Sequence, residues 1–473
     1  MPLREDFLRV LPELIFCAGG TLLMLLQPFL RNRRGLSFFA LLASAAGTLG
    51  AAFPLRYPGP AFSGLVRADS FSVFFHLLIG LVVFLVLLAA PSYLERERLA
   101  PAEFYALVLF AAAGMGVLAS AQEMLTAFIG LELSSISSYI LAGYRRDSPP
   151  SGESAMKYFL LGSFATAFFL YGIALVYGAT GTTFLPQMQS SSASSPLAQL
   201  GFALILIGLA FKVAAAPFQV WTPDVYEGAP TPVTALFSAG PKAAAFALLL
   251  RIFATVPAAA DDWLWAFWIL AALTMFVGNL GALLQTSVKR MLAYSSIAHA
   301  GYILVAFAAR NEIGFTAVLF YLLSYALVKL GAFTVVGHLS GPDEKRLSLD
   351  DYAGLGQRQP FAAAALSLFL LSLLGLPVTA GFFGKFYIFK AALQSHLVWL
   401  AILMAVNSVI GAYYYLRLIV VMYMREAREE TAPVPFPLGV SLVLAVCAAG
   451  TVYFGLFPDR VIAFASQSSL LAR

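Results

Sequence analysis

Apolar stretches of about twenty residues recur along almost the whole chain, and this is the length that a helix needs to cross a bilayer. Five charged residues nevertheless stand inside such stretches. They are Glu132, Lys212, Lys242, Lys329 and Lys385. A charge at the bilayer centre costs from about 2.5 kcal/mol to roughly 10 kcal/mol or more, depending on the scale. Because intramembrane charges mark pathways for ions and protons, this pattern favours a channel, a transporter or a proton relay.

The composition supports a polytopic membrane protein. Of the 473 residues, 60% are hydrophobic and only 11% are charged, whereas a soluble domain carries roughly 25% charged residues. The net charge of +5 comes from basic residues spread over short loops, which argues against a nucleic-acid-binding surface. Two distant cysteines, Cys17 and Cys447, cannot hold an iron–sulfur cluster or a zinc site, and the histidines lack metal-ligand spacing. We therefore expect no redox centre, metal site or nucleotide site in this chain.

The apolar stretches predict an all-α membrane protein with about fourteen transmembrane helices. They fall near residues 8–30, 36–53, 70–92, 103–120, 123–142, 155–179, 197–220, 231–254, 263–285, 291–309, 312–338, 361–394, 397–424 and 435–457. The first stretch is too long for the apolar part of a cleaved signal peptide, so we interpret it as a spanning helix. No polar stretch is long enough for a soluble domain, so 1–473 is expected to form one transmembrane domain.

Two of these stretches contain residues that interrupt a helix. Pro217 follows Lys212 closely, and Pro377 precedes Lys385 among several glycines. A proline inside a helix removes a backbone hydrogen bond, which a membrane tolerates only where the freed backbone faces protein or a wet cavity. Two broken helices that each carry a lysine resemble the discontinuous helices of transporters. Their separation suggests two five-helix repeats with flanking helices, over about 103–254, 263–424, 8–92 and 435–457.

Lysine and arginine are unevenly divided between the two sets of alternate loops. The set that includes Arg145, Arg146 and Arg290 holds more of them than the set that includes Arg67. Loops rich in Lys and Arg stay on the cytoplasmic side of a bacterial membrane. This predicts that both chain termini lie on the outer, periplasmic side.

Glu132 and Lys212 are the first residues suited to moving a proton. Desolvation disfavours the charged form of a buried lysine, and a nearby carboxylate favours it again. A change in the distance between the two groups would therefore switch the proton affinity of the lysine. The alternative is a static ion pair that fastens two helices together, although small residues can pack helices at lower cost.

The other intramembrane residues each have a structural alternative. Lys242 is a relay residue or a snorkelling lysine near a helix end. Lys385 is a relay residue or a cap for the carbonyl groups exposed at the second helix break. His299 and Lys329 are weaker relay candidates, and either would shorten the gap for proton transfer between the two broken helices.

Three acidic residues lie near the predicted cytoplasmic face. Glu153 precedes Lys157 by four residues, so the two form either an ordinary helical ion pair or a place where protons are taken up. Asp224 and Glu227 lie in the Pro-rich connection WTPDVYEGAPTP and are expected to fix its turn.

Two segments resemble a known family. GLAFKVAAAPFQVWTPDVYEGAPTPVTALFSAGPKAA and VKRMLAYSSIAHAGY are similar to the antiporter-like subunits of proton-pumping NADH–quinone oxidoreductase, respiratory complex I. Within that family the chain most resembles the subunit N type, the bacterial counterpart of mitochondrial subunit 2. The resemblance extends over nearly the whole chain. It implies fourteen helices, two inverted five-helix repeats and proton translocation through a buried Glu/Lys relay.

The resemblance also suggests roles for individual residues. Positions that match the family pattern are Glu132 (mid-membrane glutamate), Lys212 and Lys385 (lysines of the two broken helices), Lys242 (connecting lysine) and His299 (histidine of AYSSIAHAGY). The family often has histidine where this chain has Gln219, so a titratable group is not required at that site.

The family further implies what belongs to other chains. NADH, FMN, iron–sulfur clusters and quinone would be bound by partner subunits, and this chain would hold no cofactor. Its partners would be the other membrane-arm subunits and the lipids of the bacterial inner membrane, with no nucleic acid. Two alternatives stay open: a subunit of a multisubunit cation/proton antiporter, and a scaffold whose charges only tie helices together.

Overall fold

The computed structural model describes residues 4–29, 33–189, 195–255, 260–427 and 434–468. Most of this part of the chain is helical, and we number its helices α1 to α20 in chain order. Three basic residues that contributed to the predicted orientation, Arg31, Arg428 and Arg473, lie outside the described residues.

The first half of the chain contains ten helices and a small hairpin within the described ranges. In order they are α1 (Arg4–Arg9), α2 (Leu11–Leu26), α3 (Arg33–Gly50), α4 (Ala52–Arg56), β1 (Gly59–Ala61), β2 (Val66–Ala68), α5 (Ser70–Arg96), α6 (Pro101–Ser120), α7 (Met124–Ala142), α8 (Pro149–Thr180), α9 (Pro196–Val213) and α10 (Trp221–Gly228). The two strands pair antiparallel, with Gly59 opposite Ala68. The sequence analysis did not predict this hairpin.

The second half contributes ten more helices. They are α11 (Thr231–Thr255), α12 (Ala260–Leu283), α13 (Val288–Ala309), α14 (Glu312–Leu339), α15 (Leu355–Arg358), α16 (Pro360–Leu374), α17 (Ala380–Gln394), α18 (Val398–Met424), α19 (Leu438–Leu456) and α20 (Pro458–Gln467).

The predicted all-helical membrane fold is confirmed. Among the described residues, twelve helices are long and apolar enough to cross a bilayer, and α2 and α16 are shorter apolar helices. The most apolar windows of α11 and α13 are each 94% buried and that of α14 is 89% buried, against 39% for α8. These three helices therefore form the centre of the bundle, and the other helices surround them.

The first predicted helix break lies between α9 and α10. Helix α9 ends at Val213, because Ala214 adopts a left-handed conformation with φ 62°. Pro217 follows in the connection, where it cannot donate a backbone hydrogen bond. The carbonyl group of Phe211 accepts a hydrogen bond from the indole Nε1 of Trp221 at 2.9 Å. Protein groups thus satisfy part of the backbone that the break exposes, as a membrane interior requires.

The second break separates α16 from α17. Gly375 ends α16 with φ 96°, a conformation that a glycine adopts without steric cost, and Pro377 lies in the connection. A Cβ atom on Gly381 would lie 1.9 Å from the carbonyl oxygen of Ser372, so only glycine allows the two half-helices to approach this closely. The break therefore depends on glycines as well as on the proline.

Candidate functional site

Lys212 lies in the last turn of α9, beside the first break. Its Nζ donates hydrogen bonds to Ser135 Oγ at 2.7 Å and to the hydroxyl of Tyr139 at 3.2 Å, both on α7. The ammonium also lies 5.3 Å from the centre of the Tyr139 ring, close enough for a cation–π contact. The charge of Lys212 is thus held by neutral groups.

Glu132 lies on the same face of α7 as these two residues, because positions separated by three and seven residues share one side of a helix. Its Oε1 is buried and has no hydrogen-bond partner among the residues that the structure describes. In the described part of the chain, no ion pair joins Glu132 to Lys212; the ammonium contacts Ser135 and Tyr139. Lys212 therefore contacts the face of α7 that carries Glu132, but the two groups predicted to act as a pair do not contact each other directly.

Lys242 lies in α11 directly after Pro241, at the centre of the bundle. It is 2% exposed, and its Nζ donates to the carbonyl oxygen of Ser296 at 2.8 Å and to Ser296 Oγ at 2.6 Å. The hydroxyl of Tyr325 on α14 donates to the same Oγ at 2.7 Å. Because the side chain ends inside the bundle, the snorkelling alternative does not describe its position.

Lys329 and His299 are joined by a chain of hydrogen bonds. Lys329 Nζ donates to Leu292 O at 2.8 Å and to Ser295 Oγ at 3.0 Å. Ser295 Oγ lies 2.5 Å from the hydroxyl of Tyr415, which lies 3.1 Å from His299 Nε2. The structure thus connects these two weaker relay candidates through hydroxyl groups that can both donate and accept a proton.

The chain of polar groups continues beyond His299. His299 Nδ1 lies 2.6 Å from the hydroxyl of Tyr321. The ring of His299 also lies 5.3 Å from that of Tyr325, which hydrogen-bonds to the Ser296 group. Ser295 and Ser296 are adjacent on α13, so the Lys242 and Lys329 groups meet on one helix.

Lys385 lies on α17, past the second break. Its Nζ donates to the carbonyl oxygen of Leu374 at 2.9 Å and to Ser408 Oγ at 2.9 Å. It also lies 4.8 Å from the centre of the Tyr302 ring. An open cleft of about 210 Å³ reaches the same group and is lined by Lys385 and Ser408 among apolar residues. Lys385 caps a freed carbonyl, as the structural alternative requires, and is also accessible from outside the bundle.

Ion pairs surround α10 at the Lys/Arg-rich face. Lys157 contacts both Glu153 and Asp224 at 2.6 Å. Arg290 contacts Asp224 at 2.7 Å and Glu227 at 2.8 Å. Burial raises the pKa of Asp224, but the hydrogen bonds from Lys157 and Arg290 outweigh it and hold that pKa below its usual value. Asp224 and Glu227 thus lie in a helix and tie it to its neighbours, whereas the sequence analysis assigned them to a turn.

Three buried pairs of ionisable residues were missed by the sequence analysis. They are Lys289 with Glu344, Arg251 with Asp69, and His76 with Glu13, at 2.6, 2.9 and 2.7 Å. The predicted helix 291–309 begins three residues later than α13, which left Lys289 in a loop. Glu344 lies in a polar connection that gives no sign of burial. Glu13 and His76 stood inside predicted helices, so the charge inside an apolar stretch was a usable signal there.

The described residues contain no cluster of three or more His, Cys, Asp or Glu side chains arranged to hold a metal ion. Cys17 and Cys447 are both free thiols on different helices. Lys242, Lys329 and His299, on the three central helices, are joined to hydroxyl and carbonyl groups. Such an arrangement can carry protons.

Comparison with known proteins identifies the family of the chain. The transmembrane family model of NADH:quinone oxidoreductase and Mrp antiporters matches residues 121–411. NADH-quinone oxidoreductase subunit N 2 of Koribacter versatilis is 51% identical over 98% of this chain and 97% of its own length. Subunit N 1 of Solibacter usitatus is 49% identical over the same shares.

A solved structure gives the same result. A chain of respiratory complex I from Thermus thermophilus, with bound aureothin, superposes with a TM-score of 0.84. It is 39% identical, and the match covers 96% of this chain and 99% of that one. The present chain therefore belongs to the subunit N family of NADH-quinone oxidoreductase, the antiporter-like subunits of the complex I membrane arm.

Proposed function

We propose that this chain moves protons along the line formed by Glu132, Lys212, Lys242, the Lys329–His299 group and Lys385. The observation that supports this proposal is the kind of group that contacts each of the four lysines Lys212, Lys242, Lys329 and Lys385. Within the described residues, each ammonium is hydrogen-bonded to hydroxyl or carbonyl oxygens and none forms an ion pair. A carboxylate in contact would hold the proton on the amine, whereas neutral partners leave it free to be lost and regained.

The same observation argues against a scaffold. Charges that only tie helices together are expected to meet in pairs, as Arg251 and Asp69 do at 2.9 Å. Lys212, Lys242 and Lys385 have no such partner in the described part of the chain. Burying a cation without a counter-charge is costly for stability, so a functional reason for these lysines is the better account.

Transfer along the line takes place in segments. The Lys242 and Lys329 groups meet at Ser295 and Ser296, and His299 extends the hydrogen-bonded chain. From Lys212 the aromatic ring of Tyr158, 5.9 Å from Nζ, leads to Phe237 on α11, the helix that carries Lys242, with 5.5 Å between the two ring centres. Water would have to bridge that interval. Wetting and drying of the interval would then control whether the first half of the line communicates with the second.

The driving force comes from other subunits of the complex. NADH, FMN, iron–sulfur clusters and quinone are bound outside this chain, and their redox chemistry reaches it as a change in charge or conformation next to Glu132. The chain sits in the bacterial inner membrane against the other membrane-arm subunits. The structure of the Thermus thermophilus relative is that of a respiratory complex I, which supports this assignment.

The same proposal extends to the number of membrane crossings, the side of the termini and the internal repeats. The twelve long helices and the shorter apolar α2 and α16 make fourteen crossings, with both termini on the periplasmic side. The α9–α10 and α16–α17 breaks, each beside a lysine, occupy equivalent places in two inverted five-helix repeats. The cation/proton antiporter alternative shares this fold, and the relatives at 49–51% identity named as subunit N favour complex I. Co-purification with flavin- and iron–sulfur-bearing partners would separate the two.

A Glu132→Gln variant tests the first step of the line. The amide keeps the size of the side chain but cannot carry the negative charge that favours protonation of Lys212. We expect the assembled complex to lose about 90% or more of its proton translocation, because positioned proton carriers contribute roughly a hundredfold or more. Proton uptake into inverted membrane vesicles, normalised to the amount of assembled complex, measures the loss. Glu312→Gln, at the exposed start of α14, is the matched control. Unchanged translocation in Glu132→Gln would remove this residue from the line.

A further inference from the structure

A polar cleft of about 360 Å³ opens at the Lys/Arg-rich face of the molecule. Its walls come from the α7–α8 connection, α8, α10, α13 and the connection after α14. Acidic and basic lining residues are Arg145, Glu153, Asp224, Glu227, Arg290, Asp343 and Glu344. The Glu153 and Asp343 side chains are 62% and 65% exposed, whereas that of Glu344 is 4% exposed. Glu344 is thus the point where the cleft reaches the protein interior.

Both oxygens of the Glu344 carboxylate have close polar partners. Oε1 accepts from the hydroxyl of Tyr93 at 2.7 Å, the backbone N–H of Thr231 at 2.8 Å and Thr231 Oγ1 at 2.6 Å. Oε2 contacts Lys289 Nζ at 2.6 Å. Lys289 is fully buried and also donates to the carbonyl oxygen of Ala229 at 2.6 Å. A proton on Glu344 therefore has a buried amine as its immediate neighbour.

Helix α13 leads from this amine to the central lysines. Lys289 lies in the first turn of α13, Lys329 donates to Leu292 and Ser295, and Lys242 donates to Ser296. Seven residues separate Lys289 from Ser296, which corresponds to a rise of about 10 Å. Helix α13 thus carries Lys289 at the cleft, and within the next two turns it accepts hydrogen bonds from the ammonium groups of Lys329 and Lys242.

A buried hydroxyl group lies in the interval between them. The hydroxyl of Tyr226 on α10 is buried and lies next to Ser296 on α13. Tyr226 precedes by three residues Ala229, whose carbonyl holds Lys289. A tyrosine hydroxyl can both donate and accept a hydrogen bond. Tyr226 thus links the Lys289 end of the path to the Ser296 end, and water would complete the connection.

We propose that Glu344 and Lys289 form the proton-uptake site that feeds Lys242 and Lys329 from the cleft. The inference rests on the function proposed above. Glu344 takes a proton from a hydronium ion in the cleft, which removes the negative charge that holds the proton on Lys289. The Lys289 ammonium then passes its proton inward through water to a neutral lysine amine, and Glu344 transfers its own proton to the neutral Lys289. One proton has entered, water is returned, and both groups regain their charges.

Several charged and titratable groups face Glu344 from the surrounding elements. Lys289 on α13 contacts it, Arg145 from the α7–α8 connection lies 3.9 Å away, and Tyr93 on α5 donates to it. Asp343, its neighbour in sequence, points to the surface. Burial raises the pKa of Glu344, but the charge and hydrogen bond of Lys289 and the other donors outweigh burial and lower that pKa. Glu344 is therefore ionised at rest, and protonating it removes the charge that holds the proton on Lys289.

The test measures proton translocation by membrane vesicles that contain the intact complex, over a range of bath pH. Glu344→Gln should reduce translocation about tenfold or more, since a positioned proton carrier has been removed. The defect should grow as the pH rises, because hydronium ions become scarce in the cleft and the amide cannot hold a proton beside Lys289. Glu95→Gln, the same chemical change at an exposed position of α5 outside the cleft, should behave as wild type at each pH.

Lys289→Arg is the second variant, because it keeps the ion pair with Glu344 and so protects assembly. Arginine does not release its proton under these conditions, so translocation should be lost in a fully assembled complex. Wild-type translocation in Lys289→Arg, or a Glu344→Gln defect that is the same at every pH, would overturn the inference. So would a pH-dependent loss in Glu153→Gln together with none in Glu344→Gln.

Lys385→Ala separates this inference from the function on which it rests. If Lys385→Ala translocates protons normally, the line itself is wrong. If Lys385→Ala stops translocation while Glu344→Gln and Lys289→Arg behave as wild type, the line stands and protons enter it elsewhere.

Discussion

Replacing Lys385 by alanine is expected to reduce proton translocation by the assembled complex to about a hundredth or less of the wild-type rate. Lys385 is the protonatable group at the second helix break, and its Nζ meets Ser408 beside an open cleft of about 210 Å³. Without it, a proton that reaches His299 has no carrier to the surface. Proton uptake into inverted vesicles, normalised to assembled complex, measures the effect.

The chain offers a matched control on the same helix. Lys390 lies five residues further along α17 and is exposed, so Lys390→Ala removes an equal charge without touching the line. Lys385→Arg should fail to restore translocation, because arginine keeps its proton. Full activity in Lys385→Arg would show that the site needs only a fixed positive charge, which is the helix-capping role. Lys212→Ala and Lys212→Arg are expected to follow the same pattern.

The largest loss of stability is expected from Arg251→Met. Arg251 is 1% exposed and its guanidinium contacts both oxygens of Asp69, at 2.9 and 3.1 Å, while Nε donates to Ala119 O at 2.7 Å. This pair joins α11 to the start of α5 and to the end of α6. Removing Arg251 leaves the buried Asp69 carboxylate with only Arg67, a half-exposed side chain 3.9 Å away, at a cost of about 3–5 kcal/mol. The thermal midpoint of the purified complex and the amount of assembled subunit should both fall.

A double variant tests whether the unpaired carboxylate of Asp69 causes this loss of stability. Arg251→Met combined with Asp69→Asn removes both charges, so it should be more stable than Arg251→Met alone. Arg460→Met, at an exposed position of α20, should leave the thermal midpoint unchanged. If the double variant were no more stable than the single one, the destabilisation would have to come from lost packing and not from the unpaired carboxylate.

Charged residues that lie inside long apolar stretches could be identified from the sequence. Lys242 and Lys385 stand in such stretches, and the structure places both inside the bundle, hydrogen-bonded to oxygen atoms. Pro217 and Pro377 likewise marked the two breaks, because a proline has no N–H to continue a helix. These signals are local, and the physical cost behind each of them is large.

Features that depend on tertiary placement could not be found in this way. Glu344 is 55 residues from Lys289 in sequence, and only the folded structure brings its carboxylate into contact with the Lys289 ammonium group. Attraction between opposite charges predicted a contact between Glu132 and Lys212, yet the ammonium meets Ser135 and Tyr139, which lie further along the same face of α7. The position of one helix along another depends on all of their neighbours, and no single residue pair determines it.

The central claim is that protons pass laterally through the middle of the chain, and Lys242 is the residue that joins the two halves. Its Nζ is bound to Ser296 at the meeting point of α11, α13 and α14. The most direct test is the number of protons translocated per second by each assembled complex that contains Lys242→Ala, measured in vesicles during NADH oxidation. The account predicts a fall of about tenfold or more with normal assembly. A wild-type rate in that variant would contradict a continuous lateral line.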